Sequence, residues 1–147
     1  MTQAILQPVV VLLAWTMVMW AWMYVTRIPA MQQAKIDVAN LKGGTGKDLD
    51  AVLSQPVQWK AHNYNHLLDE PTIFYAVCLV LAIIGHGEGI NVAVAWFYVA
   101  LRIAHSLVQA TINRVAVRFL LFASSSLCLM VLIFHAAIPI FDLHLRG

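Results

Sequence analysis

The chain contains two long apolar runs without Asp, Glu, Lys or Arg, one towards each end. The first covers residues 4–26 and stops before Arg27, and the last covers residues 119–141, between Arg118 and Asp142. A bilayer core about 30 Å thick is crossed by roughly 20 apolar residues in a helix. Both runs therefore predict membrane-spanning helices. No basic segment precedes the first run, so we interpret it as a retained helix rather than a signal peptide.

The middle of the chain is apolar in shorter stretches. Residues 71–87 and 89–101 carry no Asp, Glu, Lys or Arg, but each stretch is short for a span. Each becomes long enough only if its helix carries polar residues into the membrane. The glycine-rich sequence at 85–89 is typical of a tight turn between these two helices. We predict an all-α, four-helix membrane bundle, with helices at about 4–26, 57–85, 90–112 and 116–140 and one long connection at about 29–55.

The composition supports a single integral membrane domain that covers residues 1–147. Apolar residues make up 61% of the chain and charged residues 11%, too few charges to cover a soluble domain of this size. The net charge of +2 gives no reason to expect a nucleic-acid partner. Cys78 and Cys128 lie inside apolar runs without zinc-ligand spacing, so we expect two reduced thiols and no metal site.

The basic residues are unevenly distributed over the two sides of the predicted bundle. Eight of the nine belong to the side of the long connection, and only Arg146 belongs to the other side. Cytoplasmic loops of membrane proteins carry the excess of Lys and Arg. We therefore expect the long connection in the cytoplasm and both termini on the other side of the membrane. The eight residues are Arg27, Lys35, Lys42, Lys47, Lys60, Arg102, Arg114 and Arg118.

Polar side chains recur at helical spacing on the second and third predicted helices. Charged groups at membrane depth are costly and usually indicate a partner or a function. The simplest interpretation is mutual pairing, with Asp69 or Glu70 bound to Arg102. The remaining excess is cationic, which favours an anionic ligand, since guanidinium groups bind carboxylates in bidentate geometry. The residues concerned are His62, Asn65 or His66, and Asp69 or Glu70 on the second helix, then Arg102, His105, Gln109 and Asn113, followed by Arg114 and Arg118.

Two segments resemble the MAPEG family, the membrane-associated proteins in eicosanoid and glutathione metabolism. Residues 65–75, NHLLDEPTIFY, are similar to the family's Asn, Glu and Pro signature on the second helix. Residues 102–109, RIAHSLVQ, are similar to its Arg-x-x-His-(Ser/Thr)-x-x-Tyr motif on the third. The resemblance extends over essentially the whole chain and is greatest to bacterial members, which implies a bacterial inner membrane with both termini in the periplasm. It implies a homotrimer of four-helix protomers that binds glutathione between subunits near the cytoplasmic face.

The resemblance also implies roles for individual residues. In the enzymes an arginine near the start of the fourth helix stabilises the glutathione thiolate. That role falls on Arg118, sixteen residues beyond Arg102, or on Arg114 if the preceding loop is shorter. The implied glutathione-binding residues are Arg27 for a carboxylate, Asn65 for the family asparagine, Asp69 or Glu70 for the amine, and the motif residues Arg102, His105 and Gln109.

Three positions depart from the pattern of the enzymes. Gln109 stands where many catalytic members have tyrosine, and Lys60 and Ala61 stand where they have an arginine. The acidic pair lies directly before Pro71 rather than at the family's spacing. Each departure removes or moves an implied contact with glutathione, so the pattern supports the fold more strongly than the activity.

Three functional hypotheses follow for the polar sites. The first is a glutathione-dependent transferase or peroxidase that acts on hydrophobic small molecules entering from the lipid bilayer. A guanidinium would favour the nucleophilic thiolate over the thiol, whose ordinary pKa is about 8.5. The second is a non-catalytic lipid- or anion-binding protein, which the missing tyrosine favours. The third is a small transporter or channel, which is disfavoured because the polar residues cluster in one half of the bundle.

Overall fold

The computed structural model describes residues 4–40 and 42–143, and the elements of this part are helical, without a strand. Four helical stretches are long and apolar enough to cross a membrane: Leu6–Gln33, Gln55–Ile83, Ile90–Ala110 and Val115–Ile140. The predicted all-α bundle with four spans is thus confirmed. The α-helices are α1 (Leu6–Gln33), α2 (Gln55–Leu68), α3 (Pro71–Ile83), α4 (Ile90–Ala110) and α5 (Val115–Ile140), and a short 3₁₀-helix covers Asp48–Ala51.

The first helix is longer than the sequence pattern indicated. It does not end near residue 26 but continues through Pro29 to Gln33. Proline removes one backbone donor without forcing a stop, and the residues that follow it, Ala30 to Gln33, are good helix formers. The helix ends where Lys35 adopts a left-handed conformation with φ of 54°. The connection to α2 is correspondingly shorter than predicted.

The second span is broken, whereas the sequence pattern predicted one helix at about 57–85. α2 ends at Leu68, α3 begins at Pro71, and Asp69 and Glu70 form the junction. Pro71 has no N–H to continue the hydrogen bonding of α2. The backbone leaves the helical region at Asp69, with φ of −85° and ψ of −98°, and returns to it at Glu70, the N-cap of α3. The break leaves carbonyl groups of the last turn of α2 without their helical donors.

The core of the bundle lies around the buried face of α4. Ala95, Tyr98 and Val99 are buried there, and the Tyr98 ring stacks on Phe74 of α3 with centroids 4.3 Å apart. The opposite faces of the helices expose large apolar side chains, such as Ile83, which is 83% exposed. An apolar exterior of this kind is suited to contact with lipid.

A buried polar cross-link that the sequence pattern did not reveal joins three helices. The Ser106 hydroxyl of α4 accepts a hydrogen bond from Trp15 Nε1 of α1 at 3.0 Å and one from Asn63 Nδ2 of α2 at 2.6 Å. Ser106 is fully buried and Asn63 almost so. In a membrane the alternative to such a bond is an unsatisfied donor, so the cross-link fixes how α1 and α2 pack on α4.

We expect Ser106→Ala to lower the free energy of unfolding by about 1–2 kcal/mol, because the buried donor of Asn63 and the partly buried donor of Trp15 then lose their acceptor. Thermal unfolding of the detergent-purified protein measures the effect. Ser124→Ala is the matched control, since Ser124 is exposed on α5. Equal melting temperatures for the two variants would contradict the structural role of Ser106.

Candidate functional site

Arg102 lies at the centre of the polar part of the bundle and is fully buried. Its Nη1 donates to Glu70 Oε2 at 3.1 Å. Its Nη2 lies 3.0 Å from His66 Nδ1 and donates to the His66 carbonyl at 3.2 Å. That carbonyl belongs to the last turn of α2, where the break removes the usual helical donor. Arg102 therefore both pairs with a carboxylate and caps the end of α2.

Glu70 is the carboxylate that pairs with Arg102, which decides between the two adjacent acidic residues. Its second oxygen, Oε1, accepts a hydrogen bond from the Ser126 hydroxyl of α5 at 2.9 Å. Asp69 is exposed, and its backbone carbonyl accepts the Thr72 hydroxyl at 2.7 Å. The break in the second span thus directs Glu70 towards α4 and α5. Its carboxylate accepts hydrogen bonds from Arg102 of α4 and Ser126 of α5, and so joins the second span to both helices.

A groove of about 220 Å³ opens beside this network, and we call it the α4–α5 groove. The imidazole rings of His66 and His105 stack there with centroids 4.9 Å apart, and the rings of His66 and Phe122 form a T-shaped pair with centroids 5.6 Å apart. The groove combines apolar walls with cationic and imidazole groups. It is lined by His66, His105, Val115, Arg118, Phe119 and Phe122.

Arg118 is positioned by the turn between α4 and α5. Its Nη1 donates to Asn113 Oδ1 at 2.7 Å, and Asn113 adopts a left-handed conformation with φ of 48°, which asparagine tolerates. Arg118 Nε is buried without a hydrogen-bond partner in the described part of the chain. Arg114, the residue before α5, is exposed. Of the two predicted thiolate-stabilising residues, only Arg118 lines the groove.

A second groove, of about 390 Å³, lies between α1, α2 and their connection, and we call it the loop groove. Arg27 Nη2 donates to the Gly46 carbonyl at 2.6 Å, and His62 Nε2 lies 3.0 Å from Asp50 Oδ2. Gln58 also donates to the backbone carbonyls of Asp50 and Leu53, so the connection is fixed to α2. The groove is lined by Met23, Arg27, Gly46, Lys47, Asp50, Ala61, His62, Tyr64 and Asn65.

The connection has internal hydrogen bonds of its own. Asp48 Oδ2 accepts the Thr45 backbone N–H at 2.6 Å and the Thr45 hydroxyl at 3.1 Å. These bonds, the backbone one first, lower the pKa of the Asp48 carboxyl because they stabilise its charged form. In this glycine-rich segment the backbone N–H of Thr45 is therefore already hydrogen-bonded to the carboxylate of Asp48.

The predicted site residues fall into two groups within one chain. Arg102, Glu70, His105 and Arg118 lie at or next to the α4–α5 groove, whereas Arg27 and Asn65 line the loop groove. Gln109 is 4% exposed, and its Oε1 has no partner among the described residues. The same part of the chain contains no group of three or more His, Cys, Asp or Glu that could bind a metal ion.

Sequence reasoning missed the site roles of His66 and Ser126. On the polar face of the second helix, His66 was one of two alternatives, with Asn65. The signal in the sequence that could have revealed its role is Pro71, because a break before this proline leaves the His66 carbonyl without its helical donor. Ser126 belongs to the run Ser124-Ser125-Ser126 inside an apolar helix. Three consecutive hydroxyl groups at membrane depth are a weak sign that a polar partner lies opposite.

Comparison with known proteins places the chain in a family. The family model described as MAPEG family matches residues 5–138, and the chain belongs to the MAPEG family. No curated protein and no solved structure matches the chain.

We expect Glu70→Ala to destabilise the protein by roughly 3–5 kcal/mol, since it leaves the buried Arg102 guanidinium without its carboxylate. Asp69→Ala is the matched control, and we expect it to stay within about 0.5 kcal/mol of the parent protein because Asp69 is exposed. Chemical unfolding in mixed micelles measures both values. A larger loss for Asp69→Ala than for Glu70→Ala would show that the pairing is wrong.

Proposed function

We propose that the protein is a membrane-embedded, glutathione-dependent transferase or peroxidase that acts on hydrophobic electrophiles. The observation that supports this most is Arg118 in the α4–α5 groove. Its guanidinium binds only a neutral amide oxygen, has no ion-pair partner in the described chain, and faces a groove with aromatic walls. Such a group is free to bind an anion next to an apolar compound.

The chemistry follows from the charge of Arg118. A thiol with a pKa of about 8.5 is mostly protonated at neutral pH, and the thiolate is the nucleophile. A guanidinium that stays charged in a groove with little water lowers the pKa of the bound thiol. The sulfur then attacks the electrophilic atom of a substrate held against Phe119 and Phe122, and the leaving group departs with the electron pair of the broken bond.

The rest of the glutathione molecule needs partners for its two carboxylates and its amine. The loop groove offers Arg27 and Lys47 as cations and Asn65 as a neutral polar group. Because this groove and the α4–α5 groove are separate in one chain, we propose a homotrimer in which the loop groove of one subunit adjoins the α4–α5 groove of the next. Glutathione would then contact both grooves. The choice of three subunits rests on the family resemblance.

A second candidate function is binding of an anion or lipid without turnover. The observation that favours it is Gln109, which occupies the position of the tyrosine of many catalytic family members and has a buried, unpaired Oε1. A glutamine amide can donate a hydrogen bond through its nitrogen, but it has no ionisable proton to transfer, as a phenol has. The two candidates differ in whether the bound thiol ionises and reacts.

We do not favour a conducting path through the bundle. The far end of α4 has a polar pair, in which His135 Nδ1 lies 2.6 Å from Asn91 Oδ1. Seven residues, or about 10 Å of helix, separate Asn91 from Tyr98. The core there contains Ala95 and Leu81, both fully buried and apolar. A buried apolar segment of this length separates the two groups of polar side chains, which disfavours a conduction path.

We propose that the protein lies in a bacterial inner membrane with the connection between α1 and α2 in the cytoplasm. The support is the excess of basic residues on that side; Arg146, the one basic residue assigned to the other side, lies outside the described residues. Gly44→Cys, made in a variant with Cys78 and Cys128 replaced by Ala, tests the orientation. We expect no labelling by a membrane-impermeant maleimide in intact cells and rapid labelling after lysis. Rapid labelling from outside would reverse the orientation.

The trimer is tested by native mass spectrometry of the protein released from several mild detergents. We expect a predominant species of three times the mass of the 16.4 kDa chain. A subunit interface in a membrane satisfies polar groups that a single bundle leaves exposed, so it should survive gentle release. A monomer in all of the detergents would contradict the shared site.

The thiolate-stabilising role of Arg118 is tested by ultraviolet absorbance during glutathione titration of the purified protein. We expect Arg118→Ala to raise the pKa of the bound thiol by about one unit or more, equivalent to about 1.4 kcal/mol, and to reduce turnover. Arg114→Ala is the control and should retain the thiolate signal, because Arg114 is exposed and outside the groove.

The possible results separate the two candidate functions. Glutathione binding by the parent protein without a thiolate signal or turnover would favour the binding protein. Full thiolate formation in Arg118→Ala would show that Arg118 does not contact the sulfur.

A further inference from the structure

His66 lies in the wall of the α4–α5 groove and has no role in the function proposed above. It belongs to the last turn of α2. Its ring is held on one face by His105, at 4.9 Å between centroids with the planes 28° apart, and it forms a T-shaped pair with Phe122, with centroids 5.6 Å apart. Its Nδ1 lies 3.0 Å from Arg102 Nη2. The ring is therefore fixed by contacts on several sides rather than free to turn.

The contact with Arg102 determines where the proton of the imidazole lies. An arginine side chain has donors only and keeps its charge at any pH at which the protein is folded. Nδ1 of His66 must then be the acceptor, with its lone pair directed at the guanidinium. In a neutral imidazole one nitrogen accepts and the other donates, so the hydrogen of His66 resides on Nε2.

A second proton on His66 would have to take the place of that lone pair, directly facing the positive charge of Arg102. The other titratable groups around the ring are the stacked imidazole of His105, Arg118, which lines the same groove, the exposed Asp69 at the end of α2, and Glu70, whose carboxylate pairs with Arg102. Because Nδ1 accepts from Arg102, a proton there would break that hydrogen bond and place a second cation against the guanidinium, so the ring stays neutral. His66 is thus a donor through Nε2 and not a base.

We propose that the Nε2–H of His66 is a second hydrogen-bond donor of the α4–α5 groove, directed at the thiolate sulfur of bound glutathione. This inference rests on the proposed function. Arg118 supplies the positive charge, and His66 supplies a donor of fixed direction that no rearrangement has to create. A thiolate accepts hydrogen bonds better than a thiol, so both groups favour the ionised form.

Two substitutions separate this role from a structural one. His66→Asn retains an acceptor near the position of Nδ1, so the bond from Arg102 can persist, but it places no group at the position of Nε2. His66→Gln extends an amide nitrogen to the position of Nε2 and loses the acceptor at Nδ1. A donor role therefore predicts that the glutamine variant resembles the parent protein, whereas a structural role predicts that the asparagine variant does.

The experiment measures the ultraviolet absorbance of the thiolate and the melting temperature of each purified variant during titration with glutathione. We expect the ratio of thiolate to thiol at fixed pH to fall roughly tenfold in His66→Asn, with the melting temperature little changed. We expect His66→Gln to keep most of the signal. His86→Asn, in the exposed turn at the other end of the bundle, controls for loss of an imidazole.

Full thiolate signal in His66→Asn, or equal loss in both variants, would overturn the donor role while leaving the proposed function intact. Absence of the signal from the parent protein would overturn both. An independent reading comes from ¹⁵N chemical shifts of labelled histidine in the ligand-free protein. We expect an unprotonated Nδ1 and a protonated Nε2 for His66, and the opposite tautomer or an imidazolium would contradict the inference.

Discussion

A buried guanidinium is the constraint on which the rest of this structure depends. A charge at membrane depth is tolerated only when it is paired and hydrogen-bonded. Both Nη atoms of Arg102 meet that requirement, with the carboxylate of Glu70 and with the ring and carbonyl of His66, whereas its buried Nε has no partner among the described residues. Those partners are available only because the second span breaks before Pro71. A regular helix would have kept the His66 carbonyl within its own hydrogen bonding.

The same network shapes the groove that we propose as the site of chemistry. Glu70 connects Arg102 to Ser126, and thereby joins the end of α2 to α4 and α5. The α4–α5 groove lies directly beside these three elements. Substitutions of Arg102 and Glu70 consequently affect stability first and function second, whereas Arg118 and His66 also line the groove, where we propose that the chemistry takes place.

The sequence was sufficient to predict the four spans, because run length and the cost of charge in a membrane constrain them directly. It was also sufficient to pair Arg102 with an acidic residue. It did not decide between Asp69 and Glu70. Adjacent residues point about 100° apart on a helix, and the break in the second span changes the direction in which each of them points. The two prolines show the same limit of prediction from sequence, because Pro29 lies within α1 whereas Pro71 begins α3.

The division of the candidate residues between two grooves was beyond sequence reasoning. Periodicity places polar groups on a helix face, but it does not say which neighbouring helix that face meets. Asn65 and His66 are consecutive, yet they line different grooves. The Ser106 cross-link was missed for a related reason, because serine, tryptophan and asparagine each have ordinary membrane-helix roles until their partners are known.

A double-mutant cycle between Arg102 and Glu70 tests the central claim most directly. The free energy of unfolding is measured in mixed micelles for Arg102→Met, for Glu70→Gln and for the combined variant. Either single change leaves a charge without its partner, and the combined change leaves none. We predict a combined loss well below the sum of the single losses, with a coupling of roughly 1–3 kcal/mol. Additive losses would contradict the account, because the two residues would then act independently.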